Sequence, residues 1–160
     1  MASAQFNIIR QNREAFIRLL DGLTIEQLNE VPAGFNNNIA WNFGHMIVAQ
    51  QTIAYLRSGQ KLLIDTTYVD RYKRGTKPES FISAEEINFL KEKAIEFIDQ
   101  YEKDWNAGVF KNFEPFTSSL GVHVSTNEEA LHSVTGHDQL HFGYAMAQRK
   151  LILSKSFIHP

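Results

Sequence analysis

The chain has 160 residues, 43% of them hydrophobic and 21% charged, which is enough for one domain with a substantial core spanning residues 1–160. A net charge of −2 gives no general attraction to nucleic acid or to an anionic membrane. There is no cysteine, so disulfides, thiolate metal ligands and a cysteine nucleophile are excluded together, and a reducing cytoplasm is the expected location. The opening "MASAQFNIIRQNREAF" has no apolar run behind a basic start, and no segment approaches the roughly 20 apolar residues that cross a bilayer. Neither a secretory signal nor a membrane partner is expected.

From Gln5 to Leu20, apolar residues recur broadly every three or four positions, which predicts a helix ended by Asp21-Gly22. Thr24 to Gln27 has the spacing of a capping box and opens a short second piece, stopped at Val31-Pro32. "AGFNNN" reads as a loop in which Asn38 can cap the next helix. That helix, "NIAWNFGHMIVAQQTIAYLRSG", is apolar on most sides in its first half, as a central buried helix is, and ends at Ser58-Gly59. Residues 60–82 read as a long connection with a basic tip.

Ser83 to Glu86 is another capping box, opening a helix that carries Ile87, Leu90, Ala94, Phe97, Ile98 and Tyr101. Residues 109–124 read as irregular, with a short piece of strand at "GVHV". Thr126 to Glu129 repeats the capping-box spacing, and the last long helix runs to about Leu151. The expected fold is therefore all-α: a four-helix bundle with a long crossover between the second and third long helices.

The chemistry concentrates in "TGHDQLHFGYAMAQRK", residues 135–150. His137 and His141 are four apart, so on a helix they share a face, continued by Val134, Ala145 and Gln148. Two imidazoles one turn apart can hold one metal ion about 2.0–2.1 Å from each nitrogen. His45, on the face of the buried helix shared with Trp41 and Val48, is the candidate third ligand. Three neutral imidazoles would leave a divalent ion with an open position, where a water or thiol loses its proton more readily. The plain alternative is that each histidine is a hydrogen-bonded core residue.

"NNNIAWNFGHMIVAQQ" followed about ninety residues later by "HDQLHFGYAMAQRK" resembles the DinB-like superfamily, also called the YfiT-like metal-dependent hydrolases, a bacterial damage-inducible family distinct from the polymerase of the same name. The resemblance covers essentially the whole chain. Asn38, Trp41 and His45 match the family's N-x-x-W-x-x-x-H, while His137, His141 and Gly143 match its H-x-x-x-H-x-G-Q. Tyr144 stands where the family has Gln. The resemblance implies a four-helix bundle of DinB-like type and a divalent metal, zinc or nickel before iron or manganese, on His45, His137 and His141. It implies chemistry on a small-molecule substrate, either transfer dependent on an external low-molecular-weight thiol or hydrolysis, and a homodimer. His132 matches a position that is not a ligand. Trp41, Asp138 and Tyr144 are the expected supporting or pocket residues.

Several rivals can be weighed. "HDQLH" resembles the H-E-x-x-H of zinc proteases, but Asp138 is a methylene shorter than Glu. A ferritin-like di-iron centre needs two E-x-x-H motifs, and only Glu129 and His132 supply one. The basic loop "DRYKRGTKP" is a solvated loop, or a site for an acidic cofactor or substrate if it lies near the bundle mouth. A non-catalytic bundle that binds a metal or small ligand, with His123 or His132 closing the site as a fourth ligand, is the alternative to an enzyme.

Overall fold

The computed structural model describes residues 2–155. Helix α1 (Ala2–Asp21) buries Phe6, Ile9, Phe16 and Leu20, together with one charged residue, Arg13. Helix α2 (Ile25–Asn29) starts at the expected capping box, with both reciprocal Thr24 and Gln27 bonds present. Helix α3 (Ile39–Gln50) is capped by the Asn38 side chain, which accepts from the Trp41 amide at 2.8 Å, and all twelve of its residues are buried. It continues through a π turn (Gln51–Tyr55) and a 3-10 turn (Leu56–Ser58), and Gly59 at φ +71° ends it in the left-handed conformation that glycine adopts without a Cβ clash.

The connection over residues 60–82 differs from expectation. It contains a helix, α4 (Thr66–Tyr72), capped by Asp65. Its seven residues carry too little periodic signal to stand out. Tertiary contacts hold it instead: Tyr72 is buried and its hydroxyl donates to Glu86 at 2.6 Å, while Arg71 pairs with the same carboxylate at 2.8 Å. Glu86 is therefore drawn away from the Ser83 backbone, and the capping box expected there is half formed, with Ser83 Oγ accepting from the Glu86 amide. Asn29 ties the returning chain to α2, bonding the carbonyl and the amide of Ile82.

Helix α5 (Ala84–Asn106) buries the six positions read from its pattern. A short antiparallel ribbon of β1 (Phe116–Thr117) and β2 (His123–Val124) follows, where strand was expected at "GVHV". Helix α6 (Asn127–Lys155) runs four residues past the expected end. Thr126 caps it, but Glu129 accepts from the Ser125 amide rather than from that of Thr126. Helix α6 packs on both α1 and α3, and α5 packs on the same two. The protein is all-α apart from the ribbon, and among the described residues no helix is long and apolar enough to cross a membrane.

A candidate metal centre between α3 and α6

The packing of α3 on α6 brings His45, His137 and His141 together. One ring nitrogen from each lies within 4.8 Å of the others, and the ring centroids are 4.4 to 5.0 Å apart. No other group of three histidine or carboxylate side chains in ligating range occurs among the described residues. Val134, Ala145 and Gln148 continue this buried face of α6, as the spacing implied.

Each of two rings is held by its other nitrogen. His45 Nδ1 donates to the Tyr72 carbonyl at 2.6 Å, at the C-terminal end of α4, where carbonyls lack a partner within the helix. His141 Nδ1 lies 2.8 Å from Asn42 Oδ1. The Asn42 amide nitrogen sits among three acceptors, Asn37 Oδ1, Asn38 O and Gln148 Oε1, so its oxygen must face the histidine. His141 therefore carries its proton on Nδ1, and in both rings Nε2 keeps a lone pair for a ligand. Anchoring the distal nitrogen in this way orients a metal-binding imidazole and selects its tautomer.

Trp41 stacks flat on His45, with centroids 4.7 Å apart and planes 9° from parallel, and its Nε1 reaches Arg71 O and Thr76 Oγ1. Gly44 makes room for α4, since a Cβ there would lie 2.5 Å from the Tyr72 ring. The sequence reading missed Gly44, Asn42 and Tyr72. Asn42 had a signal, being a lone amide inside an apolar stretch. Tyr72 contributes a backbone carbonyl, which no side-chain pattern can announce.

Burial lowers the pKa of all three histidines. His137 is held down at about 2, first by desolvation and then by its neighbours His141, His45 and Arg13. His141 is held at about 3 by desolvation and His45, and His45 is lowered by desolvation against the opposing bond to Tyr72. At neutral pH the cluster is thus three uncharged imidazoles, the form that binds metal.

Asp138 is buried on the other side of α6. One carboxylate oxygen meets Arg13 Nε at 2.8 Å, and Arg13 Nη1 also donates to Gln50 Oε1 and the Ala94 carbonyl. None of its hydrogen bonds among the described residues goes to a histidine ring. Burial pushes its carboxyl up to about 6 against the pull of Arg13. His123 and His132 are exposed and neither joins the cluster, so the described residues supply no fourth histidine or carboxylate ligand. Tyr144 is half exposed on the cavity wall, edge-on to Phe35.

The free side of the cluster opens into a cavity of about 740 Å³. Val48, Ile53, Leu56 and Leu140 supply its apolar wall, and the ribbon closes one side with Phe116 and Thr117.

A comparison with family models matches residues 8–145 to the DinB superfamily. The chain belongs to the DinB superfamily. A conserved protein from Enterococcus faecalis has a similar crystal structure: TM-score 0.66 and 13% identity, over 96% of this chain and 98% of that one. At that identity the likeness speaks for the fold of this DinB-superfamily chain alone. No curated protein matches it.

Proposed function

We propose that this protein is a metal-dependent enzyme in which His45, His137 and His141 hold one divalent ion, zinc or nickel first and iron or manganese next. The observation that carries the reading is the cluster of three neutral imidazoles, two anchored through Nδ1 with Nε2 free, facing an open cavity. The donor set fits the ion: nitrogen ligands suit these metals, and three protein ligands with an open position mark catalytic rather than structural sites. When bound, such an ion supplies Lewis acidity that makes a thiol or water in the cavity easier to deprotonate. Trp41, Asn42 and the Tyr72 carbonyl hold the rings in place, and the apolar wall limits water.

Transfer dependent on an external low-molecular-weight thiol is the better-supported branch over hydrolysis. Among the lining residues Glu114 is the one carboxylate, and Arg57 already pairs with it at 3.2 Å. A thiol, with an ordinary pKa near 8.5, needs far less help to ionise than water does. A four-helix bundle of DinB type, forming one domain over residues 1–160, a cytoplasmic location and a homodimer complete the proposal. The alternative, a non-catalytic metal- or ligand-binding bundle, would need a closed coordination shell.

Elemental analysis of tag-free protein beside the His137→Ala/His141→Ala variant tests the metal. About one ion per chain, absent in the variant while helical content is kept, is the expected result. Equal metal in both, or none in either after reconstitution, would sink the proposal.

A further inference from the structure

The basic tip of the connection after α4 is not a loosely solvated loop. Thr76 N donates to Lys73 O at 3.2 Å, closing a β-turn with Arg74 and Gly75 at its centre. Gly75 has φ +89°, which the third position of such a turn requires and which favours glycine. The Thr76 hydroxyl lies 2.8 Å and 2.9 Å from the carbonyls of Arg71 and Lys73, fastening the turn from inside. Trp41 Nε1 then ties Arg71 O and Thr76 Oγ1 to the ring that stacks on His45. The residue just before the turn, Tyr72, gives its carbonyl to His45. Segment 71–76 is thus an arch tied to His45 by one bond and to its stacking partner Trp41 by two, and it puts Lys73 and Arg74 on the cavity lining.

The charges on that lining are unbalanced. Arg57, Lys73 and Arg74 face one carboxylate, Glu114, which Arg57 already pairs with. Lys73 has a surface partner in Asp70 at 2.7 Å, whereas Arg74 has no ion pair among the described residues. A divalent ion held by His45, His137 and His141 would add to that positive charge. Two large apolar side chains at the same cavity, Leu56 and Leu140, are 55% and 42% exposed. Cations on a fixed turn, sharing a cavity with uncovered apolar surface, match a ligand with an acid group at one end and a hydrocarbon body.

We propose that the cavity takes an amphipathic organic anion, a carboxylate or a phosphate monoester, whose acid group is held by Arg74 and Lys73 while its apolar body covers Leu56 and Leu140. This deepens the enzyme reading by giving its substrate a chemical class, and it rests on that reading only for the identity of the cavity as the reaction site. A guanidinium on a fixed turn is suited to such an acid group, which it can meet with two parallel N–H bonds.

The test is calorimetric binding of octanoate, octyl phosphate, octanol and octylammonium to the full chain, once stripped of metal and once loaded with zinc. The variants are Arg74→Gln, Lys73→Gln/Arg74→Gln and, as a charge-matched control away from the cavity, Lys150→Gln. Both side chains are exposed, so the substitutions leave the core intact. At least one acid should bind about tenfold more tightly than octanol, the size of one charge-assisted bond. The double variant should lose that preference, with octanol and the Lys150→Gln control unchanged. The stronger of the two acids names the substrate's acid group. An acid that binds no better than octanol, or one that binds the double variant as well as the wild type, overturns the proposal. Binding that needs zinc and ignores the arch overturns it too, since the acid would then sit on the ion. Failure of the protein to take up zinc would defeat the metal reading and leave the metal-free arm still decisive here.

Discussion

Two neighbours in "HDQLH" lead to opposite kinds of site. His137 faces α3 and the cavity, in a cluster of three like, uncharged rings that is open on one side. Asp138, one residue on and about 100° round the helix, faces α1 and meets Arg13 in a pair with both side chains at or below 1% exposure. The pair is an opposite-charge contact that neutralises itself, although Arg13 Nη2 and the second Asp138 oxygen find no hydrogen-bond partner among the described residues. The cluster has no partner of opposite charge among the described residues, and its rings line the cavity. The difference shows how to tell a structural polar group from a functional one: ask whether its charge is already met by a neighbour.

The largest effect should come from breaking the closed pair. Arg13→Met leaves a buried carboxylate alone and should cost about 3–5 kcal/mol by urea unfolding, while Arg13→Met/Asp138→Leu should recover most of that. If the double variant were as unstable as the single, the pair would be doing something other than neutralising itself.

A smaller effect follows from loosening the open cluster. Asn42→Ala frees His141 Nδ1 and should weaken zinc binding about 10- to 100-fold in a chelator competition, or about 1.4–2.7 kcal/mol. Zinc affinity unchanged in a folded variant would mean that Asn42 supports the core and not the ligand.

The smallest effect separates the two sites by acid. The histidines have folded pKa values below their ordinary 6.5, so below that pH the unfolded chain takes up protons that the folded metal-free chain refuses. Stability is then full above pH 6.5 and falls with acid. Asp138 works the other way between about 6 and its ordinary value of 3.8, because its folded form is protonated first. The histidines outnumber it, so the metal-free protein loses stability on balance as the pH falls below 6. Urea midpoints of the metal-free protein at pH 7, 6 and 5 would show this, and a flat profile would contradict the burial of the rings.

What the sequence determined was whatever depends on local spacing. The helix period, the caps at Thr24, Asn38, Ser83 and Thr126, and the four-residue step from His137 to His141 are all local, and the described residues carry them where they were expected. The meeting of His45 with the α6 pair was legible because each lay on the buried face of its own helix. What only the tertiary structure decided was contact across long separations. Arg13 reaches Asp138 across 125 positions, and Tyr72 reaches His45 through a backbone carbonyl. Glu86 leaves its capping box for Tyr72 and Arg71, and α4 is a helix chiefly because Gly44 lets it dock. Propensity over seven residues is worth less than one buried aromatic ring, so packing chose that segment's shape and, with it, the arch beside the histidines.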